Sequence, residues 1–105
     1  MKKMLFFLIS TILLVAITIS IKFYINQKLE VLENGVIEHL KDGGYKVTDI
    51  EKIDTVYTLK NEGEANYQAL VYFSDEPDVP YIYARWETGE IYQRSYSSQK
   101  HYEKD

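Results

Sequence analysis

MLFFLISTILLVAITISI, residues Met4 to Ile21, runs for eighteen positions without a charged side chain. As a helix this stretch is roughly 27 Å long, close to the ~30 Å hydrocarbon core of a bilayer. No polar stripe runs along it, which argues against a buried helix of a soluble protein. Ser10, Thr11, Thr18 and Ser20 are its polar members, and each can return its hydroxyl to a carbonyl one turn back. Lys22 interrupts the run, but Phe23, Tyr24 and Ile25 continue it. A lysine there snorkels to the headgroups, and the two aromatic rings suit the interfacial belt.

A cleaved signal peptide is the rival reading. Its apolar core usually spans 7–15 residues and ends in a small-x-small site. Here the run is longer, and the best small pair, Thr18-Ile19-Ser20, is followed by β-branched Ile21. A retained signal-anchor therefore fits better. Lys2 and Lys3 precede the span, and the positive-inside rule keeps such a cluster in the cytoplasm. The expected topology is a single pass, N-terminus cytoplasmic and C-terminal domain extracytoplasmic, with Met4–Ile21 in contact with lipid.

Beyond Ile21 the chain carries ten Lys or Arg residues and all sixteen acidic ones. A domain near −6 is a poor nucleic-acid binder, because phosphates need cationic partners. Nor should it lie flat on an anionic lipid surface. The absence of cysteine excludes a disulfide framework, a thiolate nucleophile and a lipid-modified cysteine. Ten tyrosines and one tryptophan are not the composition of a disordered segment.

From Gln27 to Leu40, the residues Leu29, Leu32, Val36, Ile37 and Leu40 recur at spacings of three and four. This predicts an amphipathic helix continuing the span. Gly35 marks a candidate kink, and Gly43-Gly44 offers the positive φ of a helix terminus. Thr48 to Glu51 matches a capping box that would open one helical turn. Strands are then expected around Ile53–Leu59 and Ala65–Phe73, at Val79–Glu87 and at Glu90–Ser97. The turns between them are Asn61–Gly63, Asp75–Asp78 and Thr88-Gly89. Pro80 implies that its end of the third strand lies at an edge or lacks a ladder bond.

The predicted class is α+β: a transmembrane helix running into an amphipathic helix packed on a small antiparallel sheet of three to four strands. The domains are 1–25 for the signal-anchor, 26–97 for a small extracytoplasmic domain and 98–105 for a polar tail.

Candidate chemistry is thin. His39 and His101 are far apart in sequence and read as exposed side chains without catalytic partners. The acidic turn Asp75, Glu76 and Asp78 lacks a full calcium-loop pattern and reads as a solvated turn. No catalytic, cofactor or metal residue is assigned, and no enzymatic activity is expected. Alternation places Tyr81, Tyr83 and Arg85 on one strand face, with Tyr92, Arg94 and Tyr96 of the next strand extending it. Cross-strand packing accounts for such a set. A partner-binding surface is the functional alternative, since Tyr and Arg concentrate at interface hot spots.

Gly43-Gly44-Tyr45, Asp49-Ile50-x-x-Ile53, Val71-x-Phe73-x-Asp75-Glu76-Pro77 and Gly89-x-Ile91-x-Gln93, behind a lysine-led span, together resemble a domain-of-unknown-function family. Its members are short membrane-anchored proteins of Gram-positive bacteria. The resemblance implies a cell-envelope setting and supplies no catalytic residues. The functional expectation is a membrane-tethered binding or accessory module with a protein partner in the envelope or membrane. The alternative is a small single-span subunit or regulator of a membrane complex, acting through its transmembrane helix.

Overall fold

A computed structural model of the chain describes residues 1–60 and 62–104. One unbroken helix, α1 (Lys2–Asp42), holds both the apolar run and the amphipathic segment. Forty-one residues rise roughly 61 Å, and the molecule's longest dimension is 66 Å. The first half of α1 projects from the domain with its apolar side chains exposed, and it is long and apolar enough to cross a membrane. Thr11, Thr18 and Ser20 return their hydroxyls to the carbonyls of Phe7, Leu14 and Ala16, each at 2.9 Å.

The second half forms the domain core. Leu32, Val36 and Leu40 are buried, and Leu29 and Ile37 half-buried beside them. Gly35 does not interrupt the helix. A Cβ at that position would lie 2.6 Å from Arg85 Nη2, so the missing side chain gives the guanidinium room to cross α1. The helix ends as a Schellman motif: Tyr45 N–H donates to Leu40 O and Gly44 N–H to Lys41 O, each at 3.0 Å. Of the two glycines, Gly44 adopts the positive φ, +97°, which a Cβ would oppose.

A 3₁₀ turn at Val47–Asp49 follows. It stands where one helical turn is expected, but Lys46 N–H and the Asp49 carboxylate close it at 2.8 Å. Thr48 and Glu51 do not; Glu51 already belongs to the first strand. Four antiparallel strands then form a meander in the order β1-β2-β3-β4: β1 (Ile50–Tyr57), β2 (Tyr67–Phe73), β3 (Glu76–Arg85) and β4 (Ile91–Tyr96). A second 3₁₀ turn, Gly63–Asn66, leads into β2, so Ala65 precedes the strand instead of opening it. The expected turn over Asn61–Gly63 begins outside the described residues.

The turn between β2 and β3 is tighter than Asp75–Asp78. Chain reversal is confined to Ser74 and Asp75, and Glu76 already pairs with Phe73. Pro80 is tolerated because pairing with β4 begins only at Tyr81↔Tyr96, which leaves that end of β3 with an open edge as expected. Between β3 and β4, Gly89 at φ +101° closes a loop in which Gly89 N–H donates to Trp86 O. This is a three-residue hairpin with glycine in the left-handed position.

The sheet's inner face carries Ala69, Val71, Phe73, Tyr81 and Tyr83, all at 0 % exposure, against Leu32, Val36 and Leu40 of α1. The architecture is therefore the α+β arrangement that the alternation predicts.

Candidate functional site

The tyrosine-rich strands do not present one face. Tyr81 and Tyr83 point into the core. Arg85 follows them onto the inner side, where it meets Gly35 of α1. A bulge between Ile82 and Tyr83 shifts the pairing with β4, and a one-residue shift sends side chains to the opposite face. Tyr96 pairs with Tyr81, whereas Tyr92 pairs with Ala84, which belongs to the outer face. The proposed continuous surface of Tyr81, Tyr83, Arg85, Tyr92, Arg94 and Tyr96 is thus divided, and its two central rings are inaccessible. Alternation alone misses the division because a bulge has no fixed sequence signature, and it does not say that α1 covers the face of Tyr81 and Tyr83.

On the outer face, Trp86 stacks on Tyr92 with centroids 3.8 Å apart and planes 12° from parallel. Trp86 remains 52 % exposed. Arg94 pairs with Glu62 at 2.9 Å. These groups border an open recess of about 510 Å³ that also meets Glu87 and Thr88. A flat indole beside paired opposite charges suits a ligand with both an apolar face and hydrogen-bonding groups.

The segment expected as a free polar tail folds back on the domain. His101 stacks on Phe73, and its Nε2 lies 2.7 Å from Asp75 Oδ1. The ionised carboxylate only accepts, so in the neutral ring Nε2 carries the proton and Nδ1 accepts from Tyr45 Oη at 2.8 Å. Two residues on, Glu103 accepts from His39 Nε2 at 2.7 Å and from Tyr83 Oη at 2.5 Å. Gln93 bridges the same set, donating to Tyr83 Oη and His101 O while accepting from Glu103 N–H. The reading of both histidines as exposed is therefore corrected, because each is engaged by a carboxylate across the fold. No local pattern in residues 98–105 marks these partners; tertiary proximity alone creates them.

Burial and the Glu103 charge push the Tyr83 phenol well above the ordinary tyrosine range. Hydrogen bonding to His101 holds Asp75 below the usual carboxylate range, and the Tyr81 hydroxyl does the same for Glu76. Asp75, Glu76 and His101 bring three ligand atoms within 4.8 Å of one another. The His101 nitrogens and the Glu76 carboxylate are already committed to Asp75, Tyr45 and Tyr81. The arrangement reads as a latch for the tail before it reads as a metal centre.

A third feature lies where α1 emerges from its apolar half. Lys28 Nζ donates to Glu64 at 2.8 Å and sits 4.7 Å from the Tyr67 ring centroid and 5.7 Å from that of Tyr24. Together with Gln27 and Arg85 these groups border a cavity of about 260 Å³.

The chain belongs to the family described as "Protein of unknown function (DUF3139)", which matches residues 1–83. The match takes in α1, β1, β2 and β3 as far as Tyr83. It stops short of β4 and the latched tail. No curated protein and no solved structure matches the chain.

Proposed function

We propose that the chain is a membrane-tethered, extracytoplasmic binding or accessory module of the Gram-positive cell envelope, taking its partner on the outer sheet face around Trp86, Tyr92 and Arg94. The observation that carries this reading is α1 itself. Its first half has no partner within the fold, and its second half is the core against which the sheet packs. The domain cannot leave the end of the span without losing that core, so a partner must come within a domain's diameter of the bilayer. The Lys2-Lys3 cluster supports the outward orientation of the domain. Trp86, half-exposed and held flat by Tyr92, supplies the kind of rigid aromatic anchor that dominates interfaces. The reading is non-catalytic, in keeping with the structural employment of both histidines.

Whole-cell crosslinking tests it. A probe placed beside Trp86 in the full chain should capture a specific envelope protein, and W86A should reduce that capture severalfold. Replacing Met4–Ile21 by an unrelated span should leave it intact. Loss of capture on span exchange, with W86A unaffected, would favour the single-span subunit acting through its helix. Protection of the tail from protease in wall-stripped cells would reverse the orientation.

A further inference from the structure

We infer that the groove at the emergence of α1, between Lys28, Arg85, Tyr24 and Tyr67, binds the phosphodiester of an anionic membrane phospholipid. The inference rests on the membrane-tethered reading and gives the domain a second, lipid-directed site.

Depth comes first. Lys28 lies three residues beyond Ile25, where the apolar run with its aromatic extension ends. That is about 5 Å along the helix axis, within the interfacial layer that flanks the ~30 Å hydrocarbon core. Tyr24, one turn earlier, stands at the level where interfacial aromatic rings collect. The Lys28 end of the groove therefore opens where lipid phosphates are, and a lipid can reach it without leaving the leaflet.

Charge comes second. Arg85 has no ion pair among the described residues, and its Nε is buried without a hydrogen-bond partner. Nε itself is out of solvent's reach, so it is the unpaired charge of the half-buried guanidinium that an anion in the groove would offset. Lys28 gives one of its three protons to Glu64 and keeps two for another acceptor. Among the described residues Glu64 is the one carboxylate lining the groove, so two cations face one anion and the lining carries an excess of +1, while Glu38, Asp42 and Glu90 line a separate recess that Arg85 also borders. This excess stands out in a domain that is otherwise near −6. Adhesion by general electrostatics is excluded by that balance, and recognition must come from placed donors. A planar guanidinium and an ammonium that line one groove suit phosphate oxygens.

Shape comes third. Val31, Leu32 and the two tyrosine rings give the groove apolar walls, suited to the glycerol and first methylenes of a lipid. At about 260 Å³ it falls just below the range of small-molecule sites, ~300–1,000 Å³. It has room for a headgroup and none for whole acyl chains. Gly35 keeps the guanidinium in place, since any Cβ there would collide with it.

The test uses the full chain in detergent micelles, with native mass spectrometry counting retained lipid. Phosphatidylglycerol should be retained in preference to phosphatidylcholine, and R85Q should lower its retention about tenfold, as removal of a charge-assisted hydrogen bond does. K28Q, which replaces a half-buried side chain outside the core cluster, should do likewise and covers the case in which R85Q misfolds. Equal retention of both lipids, or no effect of K28Q and of a folded R85Q, overturns the inference. Competition by soluble glycerophosphate or inorganic phosphate, sensitive to the same substitutions, would assign the groove to a free phosphate and overturn the lipid source. Carbonate extraction of membranes separates the two readings: release of the protein refutes the tether, whereas retention in the membrane without selective lipid binding refutes only the groove.

Discussion

His101 lies face to face with Phe73, ring centroids 3.9 Å apart and planes 24° from parallel, and this stack fastens the C-terminal segment to the second strand. Phe73 is fully buried, so the imidazole closes the end of the core. H101A removes the stack together with the bonds to Asp75 and Tyr45. A loss of about 2 kcal/mol is expected, read as a lower midpoint in denaturant titration of the full chain. Release of Glu103 should accompany it, seen as faster amide exchange from residue 98 onward. Unchanged stability would show that the tail rests on the domain without supporting it.

Acid should loosen the same latch. Asp75 is held below the ordinary carboxyl value by the His101 hydrogen bond and the neighbouring Lys100. A depressed folded-state value means that the contribution is complete above the unfolded value, near 3.9. It disappears as pH falls through the lower folded one. Amide exchange of the tail should therefore rise below about pH 4, and D75N should remove this dependence.

Tyr45, Tyr67, Tyr81 and Tyr83 all have phenols raised above the ordinary value, with burial the largest cause for each. In the native state these groups keep their protons when unfolded tyrosines, near 10, have lost theirs. Stability from this source is complete below about pH 10 and falls as pH rises beyond it. Ultraviolet titration should show these four ionising together with loss of tertiary structure.

Y83F leaves the shape of the core and removes a hydroxyl that serves both Glu103 and Gln93. Stability should fall by about 1–3 kcal/mol, the cost of stranding half-buried polar partners. Denaturant midpoints of Y83F, E103Q and the double variant should show strong non-additivity. Simple additivity would mean that the two groups are not coupled.

G35A offers a contrast between stability and binding. Alanine gains about 1 kcal/mol of helix propensity, while the new Cβ would meet Arg85 Nη2 at 2.6 Å. The guanidinium is the free end of a flexible side chain and can move away. Near-neutral stability with diminished retention of anionic lipid is the expected result; a large destabilisation would show that the guanidinium is pinned.

L40A tests the claim that the helix bearing the apolar run also forms the core. Leu40 is 1 % exposed and packs at the Schellman terminus. Its truncation should cost about 2–5 kcal/mol, with the sheet's amide protection lost while the span remains helical in micelles.

What was legible in the sequence follows from local physics. Eighteen uncharged residues, a 3.6-residue period from Leu29 to Leu40, paired glycines and alternating strands are one-dimensional patterns. Each reflects a property of a single element: length against bilayer thickness, one buried face, one φ value. They sufficed for the α+β class, the continuity of α1, the edge character near Pro80 and the hairpin at Gly89. One helical turn was legible near Thr48, but it is a 3₁₀ turn over Val47–Asp49 with other capping residues.

The sites were not legible, because each is made by pairs distant in sequence. The face on which α1 packs decided that Tyr81 and Tyr83 are buried, and an extra residue in β4 opposite Ile82 and Tyr83 decided that Tyr92 joins Trp86 on the other face. Packing of α1 across the sheet decided that Gly35 yields to Arg85 and that Lys28 meets Glu64 and Tyr67. Folding of the last residues onto the core turned His39, His101 and Glu103 from solvated side chains into a latch. The sequence by itself determined the long apolar helix and the kinds of element. Only tertiary structure determined which face is open and which charge lacks a partner, since register and long-range contact depend on how whole elements pack together.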